Sequence, residues 1–392
     1  MKKIITAMVL VTLMASMTPV LAIPTQANAQ SGGSIPPVVM AKAEWIMDGA
    51  IDDNSDKPWL QVNPSGVYGQ SRTLGYLVVA TDLDGYDDLS AAYADVYHPD
   101  GSFKYQVAMP LVISCTDNNQ SLDAWINYLT NKYNHDLITF AEPYNLTGVI
   151  AKLRQCSAKL FVGEAELDYC QMCGEFEWEN TCEECQSGWE VTDFCTGYRV
   201  DAYAYDKTGA ESAILTNYFE YVCEAGLETD FEALDFESVR YQVHKWIEGD
   251  RVFDNSKGPA CLPVADGGSN SACVAPTYRN IGNMPLTGVS ILQDDMQFNY
   301  SGPSTNKDWN VQWDARIGDY NDNPTVVFNP FEETTVVGAV DLCALDKISF
   351  SIYVKKMATT GEHTGTVTLT PIPAQFPWFQ EVDCDQGEQP TG

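Results

Sequence analysis

Four cysteines in a short acidic stretch have the spacing of a metal site. Cys170 and Cys173 form one C-x-x-C pair, and Cys182 and Cys185 form a second pair eight residues later. Each C-x-x-C turn can direct two thiolates at one ion, so two such turns complete a tetrahedral four-thiolate site. Gly174 follows the first pair and tolerates the positive φ that such a turn needs. The spacing therefore predicts one structural zinc, with iron as the alternative ion.

Disulfides are the competing interpretation of the same cysteines. The chain has 12 cysteines, an even number, and an exported chain meets oxidising conditions in which neighbouring thiols pair. Parity does not separate the two hypotheses, because a four-cysteine metal site would leave eight cysteines that can still pair. The acidic residues around the motif oppose thiolate formation and hence metal ligation. Both interpretations give the stretch a structural role, and the sequence leaves both open.

A second candidate site is the acidic loop in the stretch TDLDGYDD. Asp82, Asp84, Asp87 and Asp88 supply hard carboxylate oxygens from one tight loop, which is the ligand type that calcium prefers. The glycine follows the second acid, whereas an EF-hand loop has its glycine at the sixth position. The alternative is a simple Asp-Gly turn between two strands. The loop thus predicts a calcium site whose competitor is an ordinary hairpin turn.

Two tryptophans are candidates for contact with a glycan. Trp309 and Trp313 lie four residues apart in a strand-like segment, so they share one face of the strand. Two indole rings on one exposed face would form a platform on which a sugar ring stacks. The alternative is that both rings fill the core of a β-sandwich.

Catalytic motifs are absent from the sequence. The four histidines are far apart along the chain and form no metal-ligand or triad pattern. The sequence has no G-x-S-x-G, no H-E-x-x-H and no phosphate-binding glycine loop. With 54 acidic residues, no carboxylate pair stands out as the acid and base of a glycosidase. We therefore predict a non-enzymatic protein without catalytic residues.

The N-terminus and the charge indicate the compartment. Two lysines precede an apolar run from Ile4 to Ala22, and cleavage sites follow Ala22 and Ala29, which predicts a secretory signal peptide over 1–29. No later stretch has the roughly 20 apolar residues of a membrane span. The net charge of −32 repels nucleic acid and anionic lipid. The expected location is extracellular, at the cell surface, with no membrane span after cleavage and no nucleic-acid partner.

The elements that would position these residues are mostly strands. Segments rich in Val, Tyr and Ile, bounded by Gly, Pro and Asp, recur at spacings typical of β-sandwiches. They predict strands over 74–82, 91–98, 104–114, 158–169, 197–209, 217–222, 277–283, 287–293, 309–318, 325–330, 348–356 and 363–372. Helical spacing of apolar residues interrupts this pattern over 121–133 and again over 145–156, where Asn145 is a candidate N-cap.

These elements predict two antiparallel β-sandwiches. The predicted order is a linker over 30–42, a first sandwich over 43–225, a second sandwich over 226–372 and a polar tail over 373–392. The first sandwich carries two insertions, a helical one over 121–156 and a cysteine-rich one over 170–195. The predicted fold class is mostly β.

Part of this pattern resembles known domains. Residues 78–105 and 198–212 resemble an immunoglobulin-like (Ig-like) domain of secreted archaeal cell-surface proteins, a largely uncharacterised group. Residues 278–296 and 362–372 are similar to a second Ig-like sandwich found in exported envelope proteins. The stretch 170–185 resembles a zinc-ribbon or rubredoxin-like knuckle, without that family's usual prolines. Likeness of fold alone implies no activity.

Two functional hypotheses follow. The first is a non-catalytic extracellular protein of the cell envelope, structural or adhesive. It would act through contact with other envelope proteins or surface glycans, or by self-assembly through paired strand edges. The second is a secreted module that binds a carbohydrate or a cation. An exported enzyme is a third and weaker hypothesis.

Overall fold

β-Strands are the main secondary structure of the described residues, as the sequence predicts. The computed structural model describes residues 35–47, 60–115, 119–168, 170–174, 197–262, 273–297, 309–321, 323–356 and 360–374. The chain divides into two units, Met1–Ile35 and Pro36–Gly392. Of the first unit only Ile35 is described, so the predicted signal peptide over 1–29 lies outside the described residues.

The first half of the described chain contains ten strands and two α-helices. In chain order they are β1 (Val38–Ile46), β2 (Leu60–Val62), β3 (Arg72–Thr81), β4 (Leu89–Tyr97), β5 (Phe103–Ala108), β6 (Leu111–Ile113), α1 (Asn119–Asn134), β7 (Ile138–Phe140), α2 (Leu146–Arg154), β8 (Ala158–Leu167), β9 (Tyr198–Asp206) and β10 (Leu215–Tyr221).

These strands form two five-stranded sheets. Sheet A has the order β6-β8-β3-β1-β7, and all its pairs are antiparallel. Sheet B has the order β2-β10-β9-β4-β5, and only the β2–β10 pair is parallel. Every second residue of each strand faces the other sheet, so Val78 and Ala80 of sheet A share one core with Val200 and Phe219 of sheet B. This arrangement is sandwich-like.

The two helices cover the outer face of sheet A. Leu122, Ile126 and Leu129 of α1 are buried in one cluster with Leu77 and Val79 of β3. Their spacing of three and four residues places them on one side of the helix. α2 begins as predicted, because the Asn145 side chain accepts a hydrogen bond from the Gly148 amide at 2.9 Å. The helical segment therefore adds a third layer.

The second half contains eleven strands. They are β11 (Leu227–Thr229), β12 (Phe231–Asp235), β13 (His244–Ile247), β14 (Gly258–Cys261), β15 (Thr277–Asn280), β16 (Leu286–Gln293), β17 (Val311–Ile317), β18 (Val326–Phe328), β19 (Thr334–Val340), β20 (Leu345–Val354) and β21 (Val367–Pro373). One sheet has the order β11-β15-β20-β17-β18 with β13 also paired to β20, and a three-stranded sheet has the order β19-β16-β21. Val289 and Ile291 of β16 share a core with Trp313 and Phe350. The predicted boundary at 225/226 falls between β10 and β11.

One boundary differs from the prediction. β1 begins at Val38 and so occupies part of the predicted linker over 30–42. The register of β1 against β3 shifts between Val39 and Ala41, which interrupts the alternation of facing residues. Lys42 and Glu44 are also buried in this strand, and charged residues are rare inside a core. The irregular register and the buried charges together explain why the sequence pattern did not predict this strand.

None of the helices in the described ranges is long and apolar enough to cross a bilayer.

Candidate metal centre

Three strands end close together at one corner of the first sandwich. β3 ends at Thr81, and a 3-10 turn over Tyr86–Asp88 leads into β4. β9 pairs with β4, and its last residue, Asp206, lies opposite Leu89. The Lys207 amide donates to the carbonyl oxygen of Asp88 at 2.8 Å. The pairing of β4 with β9 therefore brings Asp206 next to the acidic loop.

Three carboxylates meet at this corner. Asp82, Asp88 and Asp206 each offer an oxygen, and these oxygens lie within 4.8 Å of one another. We call these three residues the Asp cluster. Asp82 and Asp206 are buried, with 7% and 2% of their surface exposed, and Asp88 is half-buried. A carboxylate withdrawn from water is costly unless a cation or hydrogen-bond donors compensate its charge.

Hydrogen bonds compensate part of the Asp cluster. The Asp206 carboxylate accepts from the Thr208 hydroxyl and from the Ala210 amide, both at 2.8 Å. One oxygen of Asp82, Oδ1, accepts from the Asp84 amide at 2.8 Å. The second oxygen, Asp82 Oδ2, is buried and accepts no hydrogen bond from the described residues. One buried oxygen of Asp82 is thus left without a hydrogen-bond donor, in a residue that lies beside two further acids.

Burial and the neighbouring charges both oppose ionisation of the Asp82 carboxyl. Burial raises the pKa of the Asp82 carboxyl, and the negative charges of Asp84, Asp88 and Asp206 raise that pKa further, against the lowering effect of the Asp84 amide. A divalent cation would reverse this balance, because it favours the charged form of every carboxylate that it touches. The donor set consists of hard carboxylate oxygens, which suits calcium.

The predicted calcium ligands are therefore corrected in part. Asp82 and Asp88 belong to the cluster, whereas Asp84 and Asp87 are exposed and outside it. Asp84 contributes through its backbone amide instead of its carboxylate. Asp206 was missed, because the acidic loop and the end of β9 are more than 100 residues apart in sequence and only strand pairing joins them. The turn-like sequence DKTG after β9 was the one available signal.

The cysteines follow the disulfide interpretation. Cys170 is bonded to Cys343, and Cys173 is bonded to Cys223. A sulfur in a disulfide carries no thiolate, so these two residues do not form the predicted four-thiolate zinc or iron site. Cys182 and Cys185 lie outside the described residues. Disulfides form and persist in oxidising compartments, so this outcome is consistent with an extracellular protein.

Two further disulfides brace other parts of the chain. Cys115 and Cys156 are bonded and flank the helical segment that covers sheet A. Cys261, at the end of β14, is bonded to Cys273. The bridge between Cys170 and Cys343 joins the two β-rich halves, since its cysteines are 173 residues apart. Disulfides are therefore distributed over both halves and between them.

The junction beside these bridges is also hydrogen-bonded. Asn283 is fully buried, and its side chain donates to the Val222 carbonyl at 2.6 Å and accepts from the Glu224 amide at 2.7 Å. The Cys173 amide donates to the Asn283 carbonyl at 3.1 Å. Asn283 thus connects the segment that follows β10 with the irregular segment that carries Cys173.

The two tryptophans do not form an exposed platform. Trp313 is 3% exposed and belongs to the core of the second half, and Trp309 is 6% exposed and packs near Phe331. A sugar ring needs an uncovered ring face, so the predicted glycan-stacking role of Trp309 and Trp313 is not supported by their burial. They occupy the core position that was the alternative.

No protein-family model matches the chain, and no curated protein matches it. The structure identifies the chain by its architecture, as a mostly β protein with several antiparallel sheets.

Proposed function

We propose that the protein is a non-catalytic extracellular protein of the cell envelope that acts by structural or adhesive contact. The observation that carries this proposal is the covalent bracing of both halves by disulfides, above all the Cys170–Cys343 bridge. Disulfides persist in oxidising environments outside the cytosol. A frame that is cross-linked in both halves and between them suits a protein that must keep its folded structure outside the cell.

The finer assignment rests on the resemblance described above. The sandwich-like packing of sheets A and B is compatible with an Ig-like domain of secreted archaeal surface proteins. The edge strand β18 exposes Val327, and the edge strand β6 exposes Leu111. Exposed apolar residues on sheet edges offer places where a partner strand can add to the sheet. Other envelope proteins, surface glycans and copies of the same chain are the partners that this mode of contact admits.

The test is a binding and assembly experiment on the secreted protein. We expect native mass spectrometry to show high-mass species, or sedimentation with isolated cell envelopes to show that the protein is retained on them. A variant with Cys170→Ser and Cys343→Ser is the matched control, because it removes the bridge between the halves and leaves both sheet edges in place. A protein that stays monomeric and does not bind envelopes would contradict the proposal.

A second function is favoured by the Asp cluster. Asp82 Oδ2 is buried without a hydrogen-bond donor among the described residues, beside two more carboxylates. We propose that the cluster binds calcium, which would place a cation where the negative charges meet.

Calorimetric titration with calcium chloride should give one site per chain, and this site should be lost in Asp82→Asn. Asp84→Asn is the matched control, because this exposed side chain lies in the same loop outside the cluster. Equal titration heats for the wild type and Asp82→Asn would exclude the site.

A further inference from the structure

The core of the first sandwich contains three polar side chains. Lys42 and Glu44 lie on β1 of sheet A, and Asn217 lies on β10 of sheet B. Their exposed fractions are 1%, 3% and 4%, respectively. We call these three residues the core cluster. A lysine, a carboxylate and an amide that are almost completely buried need a specific explanation, because such groups are seldom withdrawn from water.

The Glu44 carboxylate connects the other two side chains. Its Oε1 lies 3.1 Å from Lys42 Nζ, and its Oε2 accepts from Asn217 Nδ2 at 2.5 Å. Lys42 Nζ also donates to the carbonyl oxygen of Val200 at 2.6 Å. Val200 and Asn217 are directly opposite in the pairing of β9 with β10. The lysine amine therefore reaches across the sandwich to the strand position beside the asparagine amide.

The amide carbonyl is left open. Asn217 Oδ1 is buried and accepts no hydrogen bond from the described residues. The two ends of an amide are exchanged by a rotation about χ2, and that rotation would turn Oδ1 towards Glu44. A protonated Glu44 would then donate to Oδ1 and polarise the Asn217 carbonyl group.

The surroundings favour neutral groups. Tyr76 lies opposite Glu44 in the β1–β3 pairing, and Phe219 lies on the same face of β10 as Asn217. Burial lowers the pKa of the Lys42 amine, although the charges of Glu44 and Asp201 act in the opposite direction. Transfer of one proton from Nζ to Glu44 converts an ion pair into a neutral pair, which a low-dielectric core tolerates better. A neutral amine is the form of lysine that attacks a carbonyl.

We propose that Lys42 and Asn217 become joined by an intramolecular isopeptide bond, with Glu44 as the catalytic proton carrier. Nζ of the neutral lysine attacks Cγ of Asn217, and the π electrons of the carbonyl move to Oδ1. Glu44 protonates Oδ1 during the attack and then accepts a proton from Nζ. It next protonates Nδ2 and recovers the proton of Oδ1 as the carbonyl re-forms. One N–C bond forms, the Cγ–Nδ2 bond breaks, and one ammonia leaves.

The reaction needs no further reactant. Fixed side chains replace a bimolecular encounter, which makes an otherwise slow amide exchange accessible inside a fold. The product ties β1 to β10, residues 175 positions apart in the chain. It would be a cross-link between sheets A and B that reducing agents leave intact, unlike the disulfides.

The test is a peptide map of the secreted full-length protein after reduction and alkylation. We expect a branched peptide that contains residues 42 and 217, about 17 Da lighter than its two linear parts because ammonia is lost. The intact mass alone is insufficient, since cyclisation of Gln30 after cleavage at Ala29 would also release ammonia. Linear peptides with unmodified Lys42 and Asn217 from the folded wild type would overturn the proposal.

Variants separate the roles of the three side chains. Lys42→Arg should abolish the branched peptide, and Glu44→Gln should reduce its yield by roughly 100-fold, the usual contribution of a positioned proton carrier. Asn217→Asp should form the same link with loss of water instead, about 18 Da. Lys159→Arg is the matched control, because Lys159 Nζ also donates to a backbone carbonyl, that of Leu89, at 2.8 Å. A wild-type yield of branched peptide from Glu44→Gln would overturn the role of Glu44.

Discussion

Two of the buried polar clusters in the first sandwich differ in composition. The core cluster combines a lysine, a carboxylate and an amide. Glu44 lies 3.1 Å from the Lys42 amine and accepts a hydrogen bond from the Asn217 amide at 2.5 Å. The Asp cluster consists of carboxylates alone, and the charges of the neighbouring acids act on Asp82 in the same unfavourable direction as burial. The core cluster can therefore neutralise its own charges or react, whereas the Asp cluster needs a bound cation to neutralise its carboxylates.

The positions of the two clusters agree with this difference. The core cluster lies in the middle of β1 and β10, where both sheets exclude water. The Asp cluster lies at the ends of β3 and β9, beside the exposed loop residues Asp84 and Asp87. An ion from solution can reach a strand end, whereas the middle of a sandwich is closed to it.

The largest expected effect comes from breaking the core cluster. Lys42→Ala leaves the Glu44 carboxylate buried without its cation, and we expect a loss of about 3–5 kcal/mol in the free energy of unfolding. Urea titration of the purified variant measures it. The double variant Lys42→Met, Glu44→Leu should recover the part of that loss that comes from the unpaired charge, because it removes both charges, whereas neither variant can form the link to Asn217. Equal losses in the two variants would show that the pairing of charges is not what matters here.

In the Asp cluster, the effect of Asp82→Asn on the free energy of unfolding should have opposite signs with and without calcium. Because the folded-state pKa of Asp82 is raised, Asp82 contributes most stability at acidic pH. This contribution is lost as the pH rises from the ordinary value of 3.8 through the raised pKa. Without calcium, Asp82→Asn should therefore stabilise the protein at neutral pH and lose that advantage in acid.

With calcium the order should reverse. A ligand at 100 times its Kd adds about 2.7 kcal/mol to the free energy of unfolding, and Asp82→Asn would forgo that gain. Thermal melts of the wild type and the variant, with calcium and with EDTA, give the four values needed. A variant that is less stable than the wild type by the same amount in both solutions would mean that Asp82 is held by hydrogen bonds and not by an ion.

The smallest effect is expected where charges stay in water. Arg154 and Asp123 form an ion pair at 3.4 Å on the surface of the helical layer, with 60% and 61% of their side chains exposed. Asp123→Asn should change the free energy of unfolding by less than about 0.5 kcal/mol, because solvent screens such pairs. The same urea titration provides the measurement, and a loss comparable to that of Lys42→Ala would undermine the distinction between buried and exposed charge.

Sequence patterns predicted the regular parts of this fold well. Tyr198, Val200, Ala202 and Ala204 alternate in the sequence, and all four lie in the core between sheets A and B. Local periodicity reports which side of a strand is apolar, and it does so without knowledge of the partner strand. The helix that Asn145 caps was predicted for the same reason.

The parts that failed depend on distant partners. Ser349 and Ser351 of β20 alternate with apolar residues, which predicts a solvated face, yet both are buried. Ser351 donates to Asp314 at 2.8 Å, and Ser349 accepts from the Gly249 amide at 3.2 Å. A polar residue is buried at low cost when a partner satisfies it, and that partner is not visible in the local pattern. Asp206 was missed for the same reason.

The bridge between Cys170 and Cys343 has a mechanical consequence. A pulling force applied at the two ends of the chain would pass from Cys170 directly to Cys343 and bypass the 173 residues of separation between them. At about 3.4 Å per extended residue, roughly 590 Å of contour length is withheld from stretching. Under tension most of the second half would therefore bear no load and remain folded, until a reductant opened the bridge.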